Sequence, residues 1–289
     1  MTDSYLLDKA RIRSSFERAA SSYDAAAILQ HEVRMRMLAR LDYIKVAPND
    51  ILDAGAGTGH ATRALATRYA GSRVVALDLA MAMLQQTQAR APWWHRLMCW
   101  PQAAICGDIE RLPLATASMD MIWSGLALQW CNDLDAAFSG MARVLRSDGL
   151  FMFSTFGPDT LKELRAATSA DPDHVHVSRF IDMHDIGDAL VRNGFSEPVL
   201  DVELFVLTYD GVLDVMRDLK AIGAHNAALG RRRGLDGKGF LQGIIERYER
   251  FREQGKVPAT FEVIYGHAWK AKRADLPAGL SPIKIYPRP

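Results

Sequence analysis

The sequence predicts an α/β fold built on a doubly wound, mostly parallel sheet, and three observations predict it. Ile51-Leu52-Asp53-Ala54 runs into Gly55-Ala56-Gly57-Thr58-Gly59 and then into an amphipathic stretch, Ala61 to Tyr69, which reads as strand, tight turn and helix. Apolar runs that end in an acid recur at Val74 to Asp78 and at Ala104 to Asp108. Helical periodicity separates the first of these from the next, at Met81 to Ala89. Strands alternating with helices call for right-handed crossovers and a parallel sheet, a Rossmann-like arrangement.

Taken in order, the chain opens with a helical region from Asp8 to Leu41, broken at Ser21-Ser22-Tyr23-Asp24. Its second helix, Ala25 to Leu41, turns Val33, Met37, Leu38 and Leu41 inward. Pro48-Asn49-Asp50 is the turn into the first strand. Prolines in Pro92-Trp93-Trp94-His95-Arg96 and Trp100-Pro101 favour a looped connection there. A fourth strand spans Met119 to Ser124. Asp133 caps a helix through Val144, and Ser147-Asp148-Gly149 turns it into the strand Leu150 to Ser154. Beyond Thr155 the alternation is less regular. Helices are expected at Asp182 to Gly194, Val212 to Gly223 and Phe240 to Gln254, with strands at Val199 to Thr208 and Phe261 to Trp269, and a frayed tail from Pro282 to Pro289. The expected division is residues 1–48 as an N-terminal helical lid, 49–155 as the ligand-binding core, and 156–289 as an α/β extension that completes the sheet and carries the acceptor surface.

Composition narrows the function. A chain of 289 residues with 49% hydrophobic and 24% charged residues can bury a large core. A net charge of +1 gives no global field to recruit nucleic acid or a membrane, so any polyanionic partner must use a local patch. Cys99, Cys106 and Cys131 are an odd set without CxxC spacing, and the first residues lack a signal peptide's apolar core. The expectation is a cytoplasmic protein. His174, His176 and His184 are the nearest approach to a metal set, but no cysteine or clear carboxylate partner joins them, so no metal is expected. Ser124, Ser154 and Thr155 have no adjacent histidine base.

The glycine spacing identifies the ligand class. A dinucleotide turn needs G-x-G-x-x-G, and this one is G-x-G-x-G with Asp53 before it. An acid there suits a cationic or hydroxylated group better than a diphosphate. Asp78, at the end of the second strand, can accept two hydrogen bonds from ribose hydroxyls. Three strands each ending in an acid, with glycines after the first, resemble the class I S-adenosylmethionine (SAM) methyltransferases. That resemblance implies SAM as cofactor. It places Gly55, Gly57 and Gly59 along the methionine part, Asp78 at the ribose and Asp108 at the adenine amino group. The expected set is completed by Tyr23, Asp53, Leu79, Met83, Ile109, Ser124 and Leu126. Met83 either packs on the adenine or is core.

A narrower resemblance rests on Phe16 with Arg18-Ala19-Ala20-Ser21-Ser22-Tyr23-Asp24, on Gly107 to Leu114, and on Ser124-Gly125-Leu126-Ala127-Leu128-Gln129-Trp130-Cys131. It extends through Phe153 to Leu161, Arg179-Phe180 and Leu219 to Ala224. Together they are similar to the malonyl-acyl carrier protein O-methyltransferase family of biotin synthesis, from about Arg11 to Trp269, although Gly125 stands where relatives often carry Asn. The resemblance implies methylation of a malonyl thioester's free carboxylate. A carboxylate is ionised at neutral pH and needs no general base. Tyr23, Gln129, Trp130 and Arg179 are therefore expected to act by positioning only: Tyr23 under the lid, Gln129 and Trp130 on the rim, and Arg179 as a loose clamp. Arg179 has a plainer reading as a surface ion pair, and Trp130 as a core residue. Arg143 and Arg146 read as helix C-terminal charges. The implied partner, an acidic carrier protein, is expected on a basic patch of Arg217, Lys220, Arg231, Arg232, Arg233 and Lys238. Two other readings stay open: a methyltransferase for a free small molecule, and a SAM-binding assembly factor or hydroxylase for a respiratory-chain protein.

Overall fold

The computed structural model describes residues 4–90, 103–232, 234 and 238–272. The expected loop at 91–102, with Cys99, lies outside them, as do Arg233, the side chain of Lys238 and the tail. Three helices come first: α1 (Lys9–Ala19), the short α2 (Tyr23–Ala26) and α3 (Ile28–Arg40). The core follows as β1 (Asp50–Ala54), α4 (His60–Arg68), β2 (Arg73–Asp78), α5 (Met81–Ala89), β3 (Ala103–Cys106), β4 (Met119–Gly125), α6 (Leu134–Val144) and β5 (Leu145–Phe156). Then come α7 (Lys162–Thr168), α8 (Met183–Arg192), β6 (Phe195–Tyr209), α9 (Val212–Ala221), α10 (Lys238–Tyr248) and β7 (Val257–Lys270).

The seven strands form one sheet in the order β3-β2-β1-β4-β5-β7-β6. β1 to β5 pair in parallel, while β7 runs antiparallel between β5 and β6. The C-terminal part thus shares a single sheet with the core. Strand order reverses beside β1, the place where open α/β sheets leave a crevice at their carboxyl ends. Alternate residues feed two cores. Ile51, Met121, Trp123, Leu150 and Met152 pack under α3, and Leu52, Ala54, Ile122, Phe151 and Phe153 pack under α6. That is the period of two expected of strands buried on both faces.

Several boundaries differ from the sequence reading, each for a local reason. Asp148 takes φ 60°, so the expected turn at 147–149 becomes an irregularity inside β5, where pairing skips from Met119–Leu145 to Met121–Leu150. β6 begins earlier than Val199. Its register breaks between Ser196 and Val199, around Pro198, which has no N–H for the ladder. Asp182 caps α8 by accepting from the His184 N–H at 2.8 Å, and Gly194 at φ 86° lies just beyond its end. The helix α7 falls in a stretch, between Thr155 and Asp182, for which no helix or strand is expected from the sequence.

The N-terminal helices are fastened over the carboxyl end of the sheet. Leu7 bridges Ala228, and its backbone exchanges hydrogen bonds with the Asn132 side chain at 2.7 and 2.9 Å. Phe16 on α1 meets Trp130 edge-on with ring centroids 5.4 Å apart.

Candidate active site

The glycine turn after β1 is built for close approach. Gly55, Gly57 and Gly59 all lie at positive φ (84°, 55° and 76°). The Gly55 and Ala56 N–H groups donate to the Leu77 carbonyl at 2.8 and 2.9 Å, folding the turn against β2. A Cβ on Gly59 would lie 2.4 Å from Thr87, so this glycine packs the turn on α5 and does not line the cleft. Gly55 and Gly57 do line it.

Asp78 closes the turn from the other side. Its Oδ2 accepts from the Gly57 N–H and its Oδ1 from the Ala80 N–H, both at 2.8 Å. Burial pushes its carboxyl up to about 6, against the pull of those two N–H bonds. Asp53 sits deeper, only 1% exposed, and accepts from the Thr62 hydroxyl at 2.6 Å. Burial pushes it up to about 7, opposed by the Thr62 bond, reinforced by the Asp78 charge and again opposed by Arg34. Asp108 opens on the third corner, where its Oδ1 accepts from Lys9 Nζ at 3.2 Å and from the Glu110 N–H at 3.1 Å.

Between these acids runs a cleft of ≈ 850 Å³, open mouth included, within the range of small-molecule sites. Tyr23, Gly55, Gly57, Asp78, Leu79, Met83, Asp108, Ile109, Leu126, Gln129 and Trp130 all line it. Asp53 lines an adjoining depression that shares Tyr23, Gln30, Gly55, Gly57, Gly125 and Leu126 with the cleft. Besides Gly59, two further expected residues are elsewhere. Ser124 is fully buried, and its hydroxyl donates to the Ala54 carbonyl at 2.9 Å, locking β4 to β1 beneath the cleft. Arg179 is exposed and lines two neighbouring depressions that share Gln129 and Cys131. Gln129 is on the rim, but its amide is engaged: Nε2 donates to the Leu126 carbonyl at 2.6 Å and Oε1 accepts from Thr155 at 3.3 Å. Trp130 is a half-buried wall under Phe16 and not a core residue, whereas Met83 is both buried and a lining residue.

The structure adds residues that sequence reasoning missed. Lys9, Ile12 and Phe16 reach the cleft from α1, and Gln30 from α3. The Gln30 Oε1 is buried with no hydrogen-bond partner, an acceptor waiting for a donor. Glu17 carries a further signal. Its two carboxylate oxygens accept from the Met81 and Ala82 N–H groups at 2.8 and 2.9 Å, capping α5 from a different helix. Glu17→Ala should cost about 1–2 kcal/mol by analogy with lost caps and loosen the helical cover. Calorimetry should show cofactor affinity falling roughly tenfold.

Other expectations resolve outside the cleft. Arg143 donates to the Leu114 and Leu112 carbonyls at 2.7 and 2.8 Å, and Arg146 joins Asp120 and Asp50 at 2.6 and 2.9 Å. Both hold loops and strand ends. Asp171 holds His174 Nδ1 and His176 Nε2 at 2.9 Å each, and His184 turns to Asp182. Among the described residues no group of three or more His, Cys, Asp or Glu is placed to hold a metal. No described helix is long and apolar enough to cross a membrane. Several members of the expected basic patch have partners within the fold. Arg217 pairs with Asp214 at 2.5 Å, Arg231 is largely buried against the Ala228 carbonyl at 2.9 Å, and Arg232 lies over the Phe240 ring at 4.9 Å.

A parallel sheet switching direction beside a glycine turn, with acids at three strand ends and an orphaned acceptor over them, defines a class I methyltransferase. Residues 52–153 match the family described as "Methyltransferase domain". Solved structures agree on the fold: the YcgJ protein of Bacillus subtilis aligns with TM-score 0.59 at 16% identity, over 84% of this chain and 100% of that one. A putative methyltransferase of Bacillus halodurans aligns with TM-score 0.56 at 18% identity, over 83% and 99%. Sequence relatives are much nearer. The malonyl-[acyl-carrier protein] O-methyltransferase of Methylovorus sp. (strain MP688) is 65% identical over 99% of this chain and 97% of its own. That of Gallionella capsiferriformans (strain ES-2) is 54% identical over 92% of each. The chain belongs to the malonyl-[acyl-carrier protein] O-methyltransferase family. It is an O-methyltransferase with SAM as methyl donor.

Proposed function

We propose that this enzyme methylates the free carboxylate of a malonyl group carried as a thioester on acyl carrier protein, an early step of biotin synthesis. The family's name points to that acceptor. The observation that carries it here is a second cavity, ≈ 1060 Å³ with its mouth, that shares Gln129, Trp130, Phe156, Ile222 and Ala224 with the cofactor cleft. No Asp or Glu is among the described residues lining it, and its ionisable groups are His176, Lys220 and His225. An anionic acceptor meets no like charge there. The walls include Leu161, Leu164, Phe180, Met216, Leu219 and Phe261, which exclude water from an acyl arm.

The donor supplies a methyl group on a positive sulfur that leaves as a neutral thioether. A carboxylate oxygen takes that methyl, and no proton moves. The protein's residues therefore position and desolvate. Asp78, Asp108 and the turn at Gly55 and Gly57 fix the nucleoside and methionine parts. Asp53, Tyr23 and the free Gln30 oxygen lie on the side where the ammonium group would sit. Met83, Leu79, Ile109 and Leu126 supply apolar contacts, while Ser124 and Gly59 act from beneath. Gln129 holds the loop after β4 in place, and Trp130 walls the junction of the two cavities. Alignment of this kind is worth roughly 7–11 kcal/mol in good cases. Arg179 lines neither cavity, so its role as carboxylate clamp would need the 174–182 segment to turn inward.

The test is methyl transfer from labelled SAM to malonyl-, succinyl- and acetyl-carrier protein. Label is expected on the malonyl form, less on the longer succinyl form and none on acetyl, which lacks an acceptor carboxylate. Label on acetyl-carrier protein, or none on the malonyl form, refutes the assignment.

A further inference from the structure

The mouth of the second cavity is bordered by positive charge that has no carboxylate partner among the described residues. Arg11 and Arg18 are both exposed and lie seven residues apart on α1, hence on one face. The Arg11 Nε donates to the Asn226 carbonyl at 3.1 Å, and Asn226 lines the cavity. Lys220, exposed at the end of α9, and His225 line it as well. Packing fixes this arrangement: a Cβ on Gly223 would stand 3.1 Å from Phe16 and 3.3 Å from Ala19, so the turn after α9 lies directly against α1. The charges feel one another. Burial, followed by Arg18, Arg11 and Lys220, holds the His225 imidazole below its ordinary value.

Acids near these residues are committed elsewhere. Asp8 accepts from the Arg11 N–H at 3.1 Å as the cap of α1, and Glu17 caps α5. Asp214 holds Arg217 at 2.5 Å, and Asp218 accepts from the Tyr209 hydroxyl at 2.7 Å. Among the described residues, Arg18 donates only to the neutral Ser14 and Ser15 hydroxyls. Clustered cations repel one another in the free protein, and a negative partner relieves that repulsion while being steered by it.

We propose that Arg11, Arg18 and Lys220 form the docking face for the acidic surface of the acyl carrier protein, whose acyl arm enters the second cavity between them. This rests on the acceptor reading above and names the face it uses. It also replaces the 231–233 run, where Arg231 is largely buried against the Ala228 carbonyl and the exposed Arg232 stacks on the Phe240 ring.

The test compares two substrates in the full-length protein, malonyl-carrier protein and malonyl-pantetheine, which has the arm without the acidic protein. The Arg11→Glu/Arg18→Glu variant should raise KM for the carrier substrate about tenfold or more, with kcat within about twofold. Its parameters for malonyl-pantetheine should stay within about twofold. Direct titration of the carrier protein, without SAM, should weaken by the same factor as KM. The milder Arg18→Gln variant, which disturbs α1 least, should lose about threefold on the carrier substrate alone. Equal losses on both substrates, or no loss on the carrier substrate, overturn the docking face. If the unaltered protein methylates neither substrate, the acceptor reading falls and takes this inference with it.

Discussion

Gly57→Ala is expected to leave the fold standing and abolish cofactor binding, whereas Gly55→Ala should damage both. The two glycines are two residues apart and both left-handed, at φ 84° for Gly55 and 55° for Gly57. Their surroundings differ. A Cβ on Gly57 meets no protein atom within 4 Å, because it projects into open space on the cleft side. The backbone penalty for alanine there is about 1–2 kcal/mol, which a chain of this size should survive. The added methyl occupies space a ligand needs, so the Kd for SAM should rise at least about a hundredfold. A Cβ on Gly55 would lie 2.3 Å from the Ala127 Cβ, pressing on the loop after β4. Overpacking adds about 1–3 kcal/mol to the backbone penalty, so the total is about 2–5 kcal/mol. Urea unfolding and calorimetry separate the cases. A Gly57→Ala protein that binds SAM within tenfold of the parent would show that the turn is not the cofactor cradle.

That contrast marks what the sequence could and could not reveal. The turn, the strand-end acids and the parallel core were legible because they depend on short-range pattern: a strand's period of two, glycines at positive φ, an acid at a carboxyl end. Lys9, Phe16 and Gln30 were not recognised as site residues. They reach the cleft from α1 and α3, whose placement depends on tertiary contacts such as the Phe16–Trp130 packing and the Leu7–Asn132 bonds. Arg179 shows a different limit. Its neighbour Phe180 lines the second cavity as well as the two depressions beside it, whereas Arg179 reaches only those depressions, and sequence adjacency could not show that difference. Ser124 is expected at the cofactor as part of the methyltransferase resemblance, and its hydroxyl is instead used between strands. Arg231 looked like surface charge because a sequence cannot show that Asp8 and the Ala228 carbonyl will lie beside it.

Asp53→Asn should make the free protein more stable at pH 8 and a poorer binder of SAM. Asp53 is buried at the end of β1, and burial raises its carboxyl from 3.8 to about 7. Between those two values the folded state holds a proton that the unfolded state has lost. Stability therefore falls as pH rises through that window. The benefit of the neutral acid is complete below the unfolded value and gone once the folded value is passed. At pH 8 the ionised acid costs on the order of 2–4 kcal/mol, which an uncharged isostere recovers. Asparagine keeps an oxygen for the Thr62 hydroxyl, now 2.6 Å from Asp53. Below the unfolded value of 3.8 the two proteins should unfold at nearly the same temperature, at pH 5 the variant should already unfold somewhat higher, and at pH 8 several degrees higher. The cost is functional, since the role proposed for the ionised acid is that of countercharge to a ligand ammonium group. SAM affinity at pH 8 should drop at least about tenfold in the variant. In the parent, Asp53 and Asp78, the latter raised to about 6, should release protons when the cofactor binds near pH 6.5. Calorimetry in buffers of different ionisation enthalpy reads that release directly. A variant less stable than the parent at pH 8, or one that binds SAM as tightly, would mean that Asp53 serves the fold and not the ligand.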